Sequence, residues 1–426
     1  MRLPFTLHQA ASAAPGPPMS EVNRLVRLIT FWGPIMAVTF SITEVAFEPN
    51  SFATWLGDGR TFYCAGRAAR YGFDPYDLEV ITQCGRAMGA PVLPSFFYTP
   101  LALAAFVPLS WLPGWLAFIL LSVAQAGALI AISRLLAAGV AHGTLALRLG
   151  LAAAPSIAYG VTLNLWLGQV NLICAGLIAL AAVALQRDKD PQAGALIALA
   201  AVLKPGFLLF LALPGALLRW RALAVALAAT LAALAVAAML APPDAWADHA
   251  EVARRIVAEP LPDWMRIGNH AFSGPLSRVN PDPAFIWFWH AIIIGLVGLM
   301  TGVAALSAWS LPASERILPV TACAAGFMFL AGPFSWWAHT PLLWLALAAM
   351  APGALRAGLD WMIAALALAL MAPMELSEPP IPLLGLYGTG VALAVWGLAL
   401  GLCLRQTWRP VLEALQRPFK RAGAAH

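Results

Sequence analysis

The chain has 426 residues, 61% hydrophobic and only 11% charged, whereas a soluble domain carries roughly 25% charged residues. Together with 17 Trp, 34 Gly and 34 Pro, this excludes a secreted disulfide scaffold, a disordered chain and a nucleic-acid-binding domain. It fits a polytopic membrane protein, where Gly and Pro are tolerated and Trp collects at the interfaces. The formal net charge of +5 gives no argument for nucleic acid, because much of the excess lies at the C-terminus, where the positive-inside rule puts it.

Residues 1–22 hold no apolar stretch of the signal-peptide kind and read as a disordered cytoplasmic tail. A span needs about 20 apolar residues to cross about 30 Å of hydrocarbon. The first candidate runs from about Leu25 to Ala46, and a polar segment follows at about 47–96. Further apolar runs lie near 97–112, 114–134, 146–165, 170–186, 192–203, 206–218 and 222–241. A second polar segment, about 242–283, precedes runs near 285–308, 316–331, 339–352, 357–373 and 382–404. Residues 405–426 form a basic tail.

Charge sets the expected orientation. Arg24 and Arg27 precede the first run, and Arg405, Arg409, Arg417, Lys420 and Arg421 follow the last. Both ends are therefore expected in the cytoplasm. Thirteen crossings would put the ends on opposite sides, so one run must fail to cross. Thr99–Leu112, short and interrupted by Pro100 and Pro108, is expected to be a re-entrant or half-buried helix. Twelve spans remain. Both polar segments, the loop with Glu375 and Glu378, and the junctions at Gly168–Asn171, Lys204-Pro205 and Gly332–His339 then face outward. Irregular backbone at membrane depth is allowed only where protein or a water-filled cavity satisfies it.

The unusual residues collect on that outer side. Asp58 lies at the start of a short helix carrying Tyr63, Arg67 and Arg70, which Gly72 and Pro75 would end. It reads as a general base or as an N-capping residue. Gln169 and Asn171 interrupt a long apolar stretch and would bind sugar hydroxyls or satisfy the broken backbone. Lys204 stands alone in an apolar run. An intramembrane lysine costs roughly 2.5–3.5 kcal/mol on insertion scales and marks function, unless it snorkels to the interface. The helix before it, Gln192–Lys204, is too short to cross, so a hairpin tip is expected at Lys204-Pro205. His270 and His339 read as catalytic or as hydrogen-bonded interface residues, and Trp336 as interface belt or sugar platform.

Of five Cys, Cys174, Cys323 and Cys403 fall in apolar runs and read as fillers. Cys64 and Cys84 share the outer segment with 19 residues between them. An oxidising compartment would permit a disulfide there, and two free thiols are the alternative. No CxxC or His/Cys cluster suggests a metal, and no cofactor motif is present.

The chain has no phosphate loop for a cytosolic nucleotide donor, so a lipid-linked donor suits an outer-facing group-transfer site. A phosphate leaving group departs as an anion and needs cations more than a proton donor. One carboxylate base with Lys and His is then the minimal equipment for displacement at an anomeric carbon.

The ordered series Asp58, Tyr63, Gly72-x-x-x-Tyr76, Tyr98-x-Pro100-Leu101, Pro108-Leu109-x-x-Leu112-Pro113, Gly168-Gln169-x-Asn171, Lys204-Pro205 and Ser335-Trp336-x-x-His339 resembles glycosyltransferase family 87, of the GT-C superfamily. The resemblance spans about residues 50–350. It implies an all-α GT-C-like transmembrane catalytic unit over 23–404, with short helices in its outer loops. The implied activity is transfer of a hexose, mannose first since the family includes polyprenyl-phosphomannose-dependent mannosyltransferases, from a polyprenyl-phosphate donor to a glycolipid or glycan hydroxyl. The site would lie on the outer, periplasmic face of the plasma membrane. The resemblance implies a catalytic Asp58 and an outer-facing His339, which with Lys204 would hold the donor phosphate. Tyr63, Tyr98, Gln169, Asn171, His270 and Trp336 would contact substrate. The run Asn269-His270-Ala271-Phe272-Ser273 departs from the family pattern, where a more Asn-Gln-Ser-like run is expected. A secondary transporter is the alternative class, since broken helices and an intramembrane cation mark those too, and an inactive scaffold subunit is a third.

Overall fold

The computed structural model describes residues 19–47, 56–89, 95–258, 269–372 and 386–422. The tail up to Pro18 and the loop with Glu375 and Glu378 lie outside the described residues. Each of the thirteen apolar runs carries helix, and no strand occurs among the described residues.

Helix α1 (Met19–Phe47) starts slightly before the expected span, so the helical region begins inside the stretch read as tail. The first polar segment folds into α2 (Gly57–Arg70) and α3 (Leu78–Ala87). Asp77 caps α3 by accepting from Glu79 N, and the Cys64–Cys84 disulfide joins the two helices. Next come a 3-10 turn at Pro100–Ala102 and α4 (Leu103–Leu109). Ten residues at 1.5 Å each reach only about 15 Å, half the hydrocarbon core. This segment packs on α2 at Gly66, where any side chain would collide with the Phe106 carbonyl.

Helices α5 (Gly114–Gly139), α6 (Leu145–Ile157), α7 (Tyr159–Leu167) and α8 (Asn171–Gln186) follow. Then come α9 (Asp190–Leu203), a 3-10 stretch Pro205–Leu211 and α10 (Ala212–Ala216). This last trio is a hairpin. Its two ends meet where Arg219 pairs with Asp188 at 2.7 Å and Asp190 at 3.6 Å, so the chain returns to the face it left.

Helices α11 (Trp220–Leu240), α12 (Ala245–Ala258), α13 (Ser273–Val279), α14 (Pro283–Ser307), α15 (Ala313–Ala331), α16 (Pro341–Arg356), α17 (Asp360–Met371) and α18 (Tyr387–Ala422) complete the order. The core centres on α16 and α8. Most of α16 is buried, including Trp344. Cys323 and Cys403 fill space between α15 and α18, their sulfurs 3.6 Å apart. By contrast α11 and α14 expose most of their apolar residues, as a bilayer permits and water does not. Seven helices among the described residues are long and apolar enough to cross a membrane, and six shorter apolar ones accompany them.

Candidate active site

Three breaks in the helices meet at one place. The first is the α7–α8 junction. Gly168 adopts φ +68° there, and a Cβ would stand 2.8 Å from Leu56 Cδ2 and 3.1 Å from Gly59 Cα. Only glycine suits both the left-handed backbone and the close approach. Leu56 N donates to Trp166 O at 2.7 Å, so the start of α2 is pinned against this break. Leu56 itself takes φ +54°, a strained conformation for a branched residue that its surroundings enforce.

That contact delivers Asp58 to Gln169. Gln169 Nε2 donates to Asp58 Oδ2 at 2.6 Å, and its Oε1 accepts from Tyr98 OH at 3.2 Å and Asn171 Nδ2 at 3.4 Å. Asp58 is therefore not the N-cap of α2. It sits one residue inside, in the first turn, and its carboxylate points to another helix junction. Burial pushes the Asp58 carboxyl up to about 6, against the opposing pull of the Gln169 hydrogen bond and the Lys204 charge.

The second break is the hairpin tip. Lys204 is extended (φ −144°, ψ 107°) between α9 and Pro205, as a residue before proline prefers. Its ammonium donates to Asn171 Oδ1 at 2.5 Å and lies 2.7 Å from His339 Nε2. Nζ also stands 5.5 Å from the Tyr98 ring centroid. The third break, after α15, carries His339 on a short 3-10 turn. Trp336 N donates to His339 Nδ1 at 3.0 Å. Two donors thus converge on a ring that, when neutral, offers one lone pair.

The breaks are satisfied internally, as membrane depth demands. Gln125 Nε2 donates to Asn164 O at 3.0 Å and Gln169 O at 2.9 Å. Asn164 Oδ1 accepts from Leu172 N at 3.3 Å. The amides of Asn164 and Asn171 both donate to Ala338 O, tying the α7–α8 break to the His339 turn. Sequence reading passed over Gln125 and Asn164. The available signal was one carboxamide in each of two otherwise apolar runs.

Tyr98 is held by an aromatic cluster with Phe62, Phe96 and Phe106, and its carbonyl accepts from Tyr76 OH at 2.7 Å. Other expected contacts lie elsewhere. Tyr63, about 140° around α2 from Asp58 at 3.6 residues per turn, donates from its OH to Leu112 O at 2.9 Å. His270 is fully buried, its N–H donating to Ser335 O at 2.8 Å and its carbonyl accepting from Thr389 Oγ1 at 2.8 Å. Burial, with Arg278 nearby, lowers its imidazole to about 4. With Ser273 Oγ donating to Pro333 O at 2.6 Å, this run braces the His339 turn. Trp336 meets His339 through its backbone.

The helices are those of an integral membrane protein, and residues 96–333 match the model of glycosyltransferase family 87. That match covers more than half of the chain, which therefore belongs to this family and is a membrane glycosyltransferase. No curated protein and no solved structure matches it. Tyr98, Gln169, Asn171, Lys204 and His270 lie within the matched residues, while Asp58, Tyr63, Trp336 and His339 flank them.

Proposed function

We propose that this glycosyltransferase moves a hexose, mannose in the first instance, from a polyprenyl-phosphate donor to a hydroxyl of a glycolipid or glycan. The observation that carries this reading is the unbroken hydrogen-bonded chain from the Asp58 carboxylate through Gln169 and Asn171 to Lys204 and His339. In this reading the carboxylate at one end is the base, and Lys204 and His339 at the other hold the anion.

In the proposed step the acceptor oxygen attacks the anomeric carbon while the bond from that carbon to the phosphate oxygen breaks. The acceptor proton passes to Asp58, and polyprenyl phosphate leaves as an anion held by Lys204 and His339. Attack opposite the leaving group inverts the anomeric centre. A base is worth roughly 10²–10⁴-fold here, and no second carboxyl group is needed because the phosphate leaves unprotonated. Tyr98, Gln169 and Asn171 line the same chain as the proposed substrate contacts, while Tyr63, His270 and Trp336 stand outside it. Family membership favours this over the transporter alternative.

The catalytic unit is residues 23–404, between cytoplasmic tails, in the plasma membrane. Twelve helices cross, Pro100–Leu109 is half-buried, and the site opens to the outer, periplasmic face. The test is transfer from radiolabelled polyprenyl-phosphate mannose by the purified full-length chain in nanodiscs. Asp58-dependent release of polyprenyl phosphate with an α- or β-product opposite to the donor supports the reading. Retention of configuration, or release unchanged in Asp58→Asn, overturns it.

A further inference from the structure

Two carboxamides stand between Lys204 and Asp58, and both point the same way. Lys204 Nζ donates to Asn171 Oδ1 at 2.5 Å, Asn171 Nδ2 to Gln169 Oε1 at 3.4 Å, and Gln169 Nε2 to Asp58 Oδ2 at 2.6 Å. Each amide turns its oxygen toward the cation and its N–H toward the carboxylate. An ammonium offers donors only and an ionised carboxylate acceptors only, so the two ends fix both amides. Side bonds hold them there. Asn171 Nδ2 also donates to Ala338 O at 2.8 Å, and Tyr98 OH donates to Gln169 Oε1 at 3.2 Å. Turning Asn171 over would set N–H against the ammonium. Turning Gln169 over would set its oxygen against the carboxylate.

Asn171 is fully buried. In such surroundings aligned dipoles polarise one another, and a charge at one end of a chain is felt at the other. The Lys204 charge already favours the ionised form of Asp58. The other titratable side chains set against the pair are Tyr98, Cys174 and His339, of which Tyr98 and Cys174 are uncharged at neutral pH. Coupling between two sites is reciprocal. While Asp58 is ionised, its charge opposes the field that Lys204 presents to an anion. Once the acceptor's hydroxyl proton sits on Asp58, that opposition is gone. Lys204 then acts in full on the phosphate oxygen, which gains charge as its bond to the anomeric carbon breaks. The added hold arises only as the transition state forms, so it raises the rate, whereas equal hold on substrate and transition state would not.

We propose that Gln169 and Asn171 are positioning residues that couple the two ends of the site, so that arrival of the proton at Asp58 tightens the hold of Lys204 on the departing phosphate. This rests on the donor-phosphate role given above to Lys204 and His339. It makes the base and the anion site one unit.

The experiment is equilibrium binding of polyprenyl methyl phosphate to the full-length chain in phosphatidylcholine nanodiscs at pH 8. This diester keeps one negative charge from pH 5 to pH 8, and without a sugar it cannot turn over. Asp58→Asn stands for the protonated carboxyl and should bind the probe about fivefold or more tighter than wild type. In a Gln169→Met background the same substitution should gain less than about twofold. Gln169→Asn, one methylene shorter, opens the chain should Gln169→Met fail to fold. Wild type should tighten by a similar factor from pH 8 to pH 5, beyond any change seen in Asp58→Asn. Equal affinity of Asp58→Asn and wild type would overturn the proposal. An undiminished gain in the Gln169 variants would mean that the charge acts across space, and would overturn the role of the amides. Binding that survives Lys204→Met would strike the donor-phosphate reading instead, and the proposal with it.

Discussion

Asp58 combines a carboxyl raised from 3.8 to about 6 with a single strong donor at Gln169. As a base it must be ionised, so kcat/KM is expected to fall below about pH 6 rather than near pH 4. Gln169→Met removes a hydrogen bond that favours the carboxylate, so that limb should move to higher pH. A limb that stays put would separate Gln169 from the base. Asp58→Asn should keep donor binding and lose roughly 10²–10⁴-fold in turnover. Asp74→Asn and Asp77→Asn should cost far less, since Asp74 serves a turn at Tyr76 N and Asp77 a helix cap that Asn also makes. The same carboxylate has a structural cost. Its pKa is higher folded than unfolded, so ionisation opposes folding above about pH 6 and the penalty vanishes below about pH 4. The shift corresponds to roughly 3 kcal/mol at neutral pH. Asp58→Asn should therefore unfold at higher temperature than wild type at pH 7.5 and at the same temperature at pH 4. At the anion end, Lys204→Met should abolish donor binding and Lys204→Arg should weaken it. Equilibrium binding of polyprenyl phosphate reads this directly.

Among the elements, α2 is positioned by one close approach and one covalent link. Gly168→Ala would force a side chain into a left-handed backbone and onto Leu56. The expected result is a correctly inserted protein whose kcat drops by at least tenfold, because the α2 N-terminus and Asp58 are pushed off Gln169. Gly127→Ala, on α5 where a Cβ meets open space, is the control and should be silent. The Cys64–Cys84 disulfide closes a loop with a sequence separation of 20, worth roughly 3 kcal/mol by loop entropy. Cys64→Ser with Cys84→Ser should lower the thermal midpoint in detergent and sensitise α2 and α3 to protease. Labelling of both thiols in untreated wild-type protein would refute the bond.

For the molecule as a whole, orientation is the property to test. With both ends in the cytoplasm, Gln83→Cys on α3 should react with an impermeant maleimide from outside intact cells. Gly143→Cys and Arg356→Cys should react only after permeabilisation. Labelling of Gln83→Cys and Gly143→Cys from the same side would break the count of twelve crossings. The hairpin α9–α10 makes the same point from within. Its 14-residue first limb reaches about 21 Å, less than the ~30 Å core. Arg219 closes it on Asp188 and Asp190, so the two limbs start and end together and Lys204 stands at the tip between them.

Much of this was legible in sequence because it is local. Low charge and long apolar runs specify membrane helices, since hydrocarbon rejects charge and unpaired backbone wherever they occur along the chain. Gly168, Pro205 and the Gly332–His339 stretch announce broken helices through backbone chemistry alone, and Lys204 announces a polar purpose by its isolation. The meeting of those breaks belongs to the tertiary structure. Gln169 reaches Asp58 across 111 positions and His339 reaches Lys204 across 135. Those distances are set by which helix sides pack together. Helices apolar on every side, such as α5, α8 and α9, carry no stripe that tells a buried face from a lipid-facing one. For the same reason sequence could mark Gln169 as a polar break but not show that it reaches the Asp58 carboxylate. It could not show the cavity that α1 and α5 enclose beside Arg60.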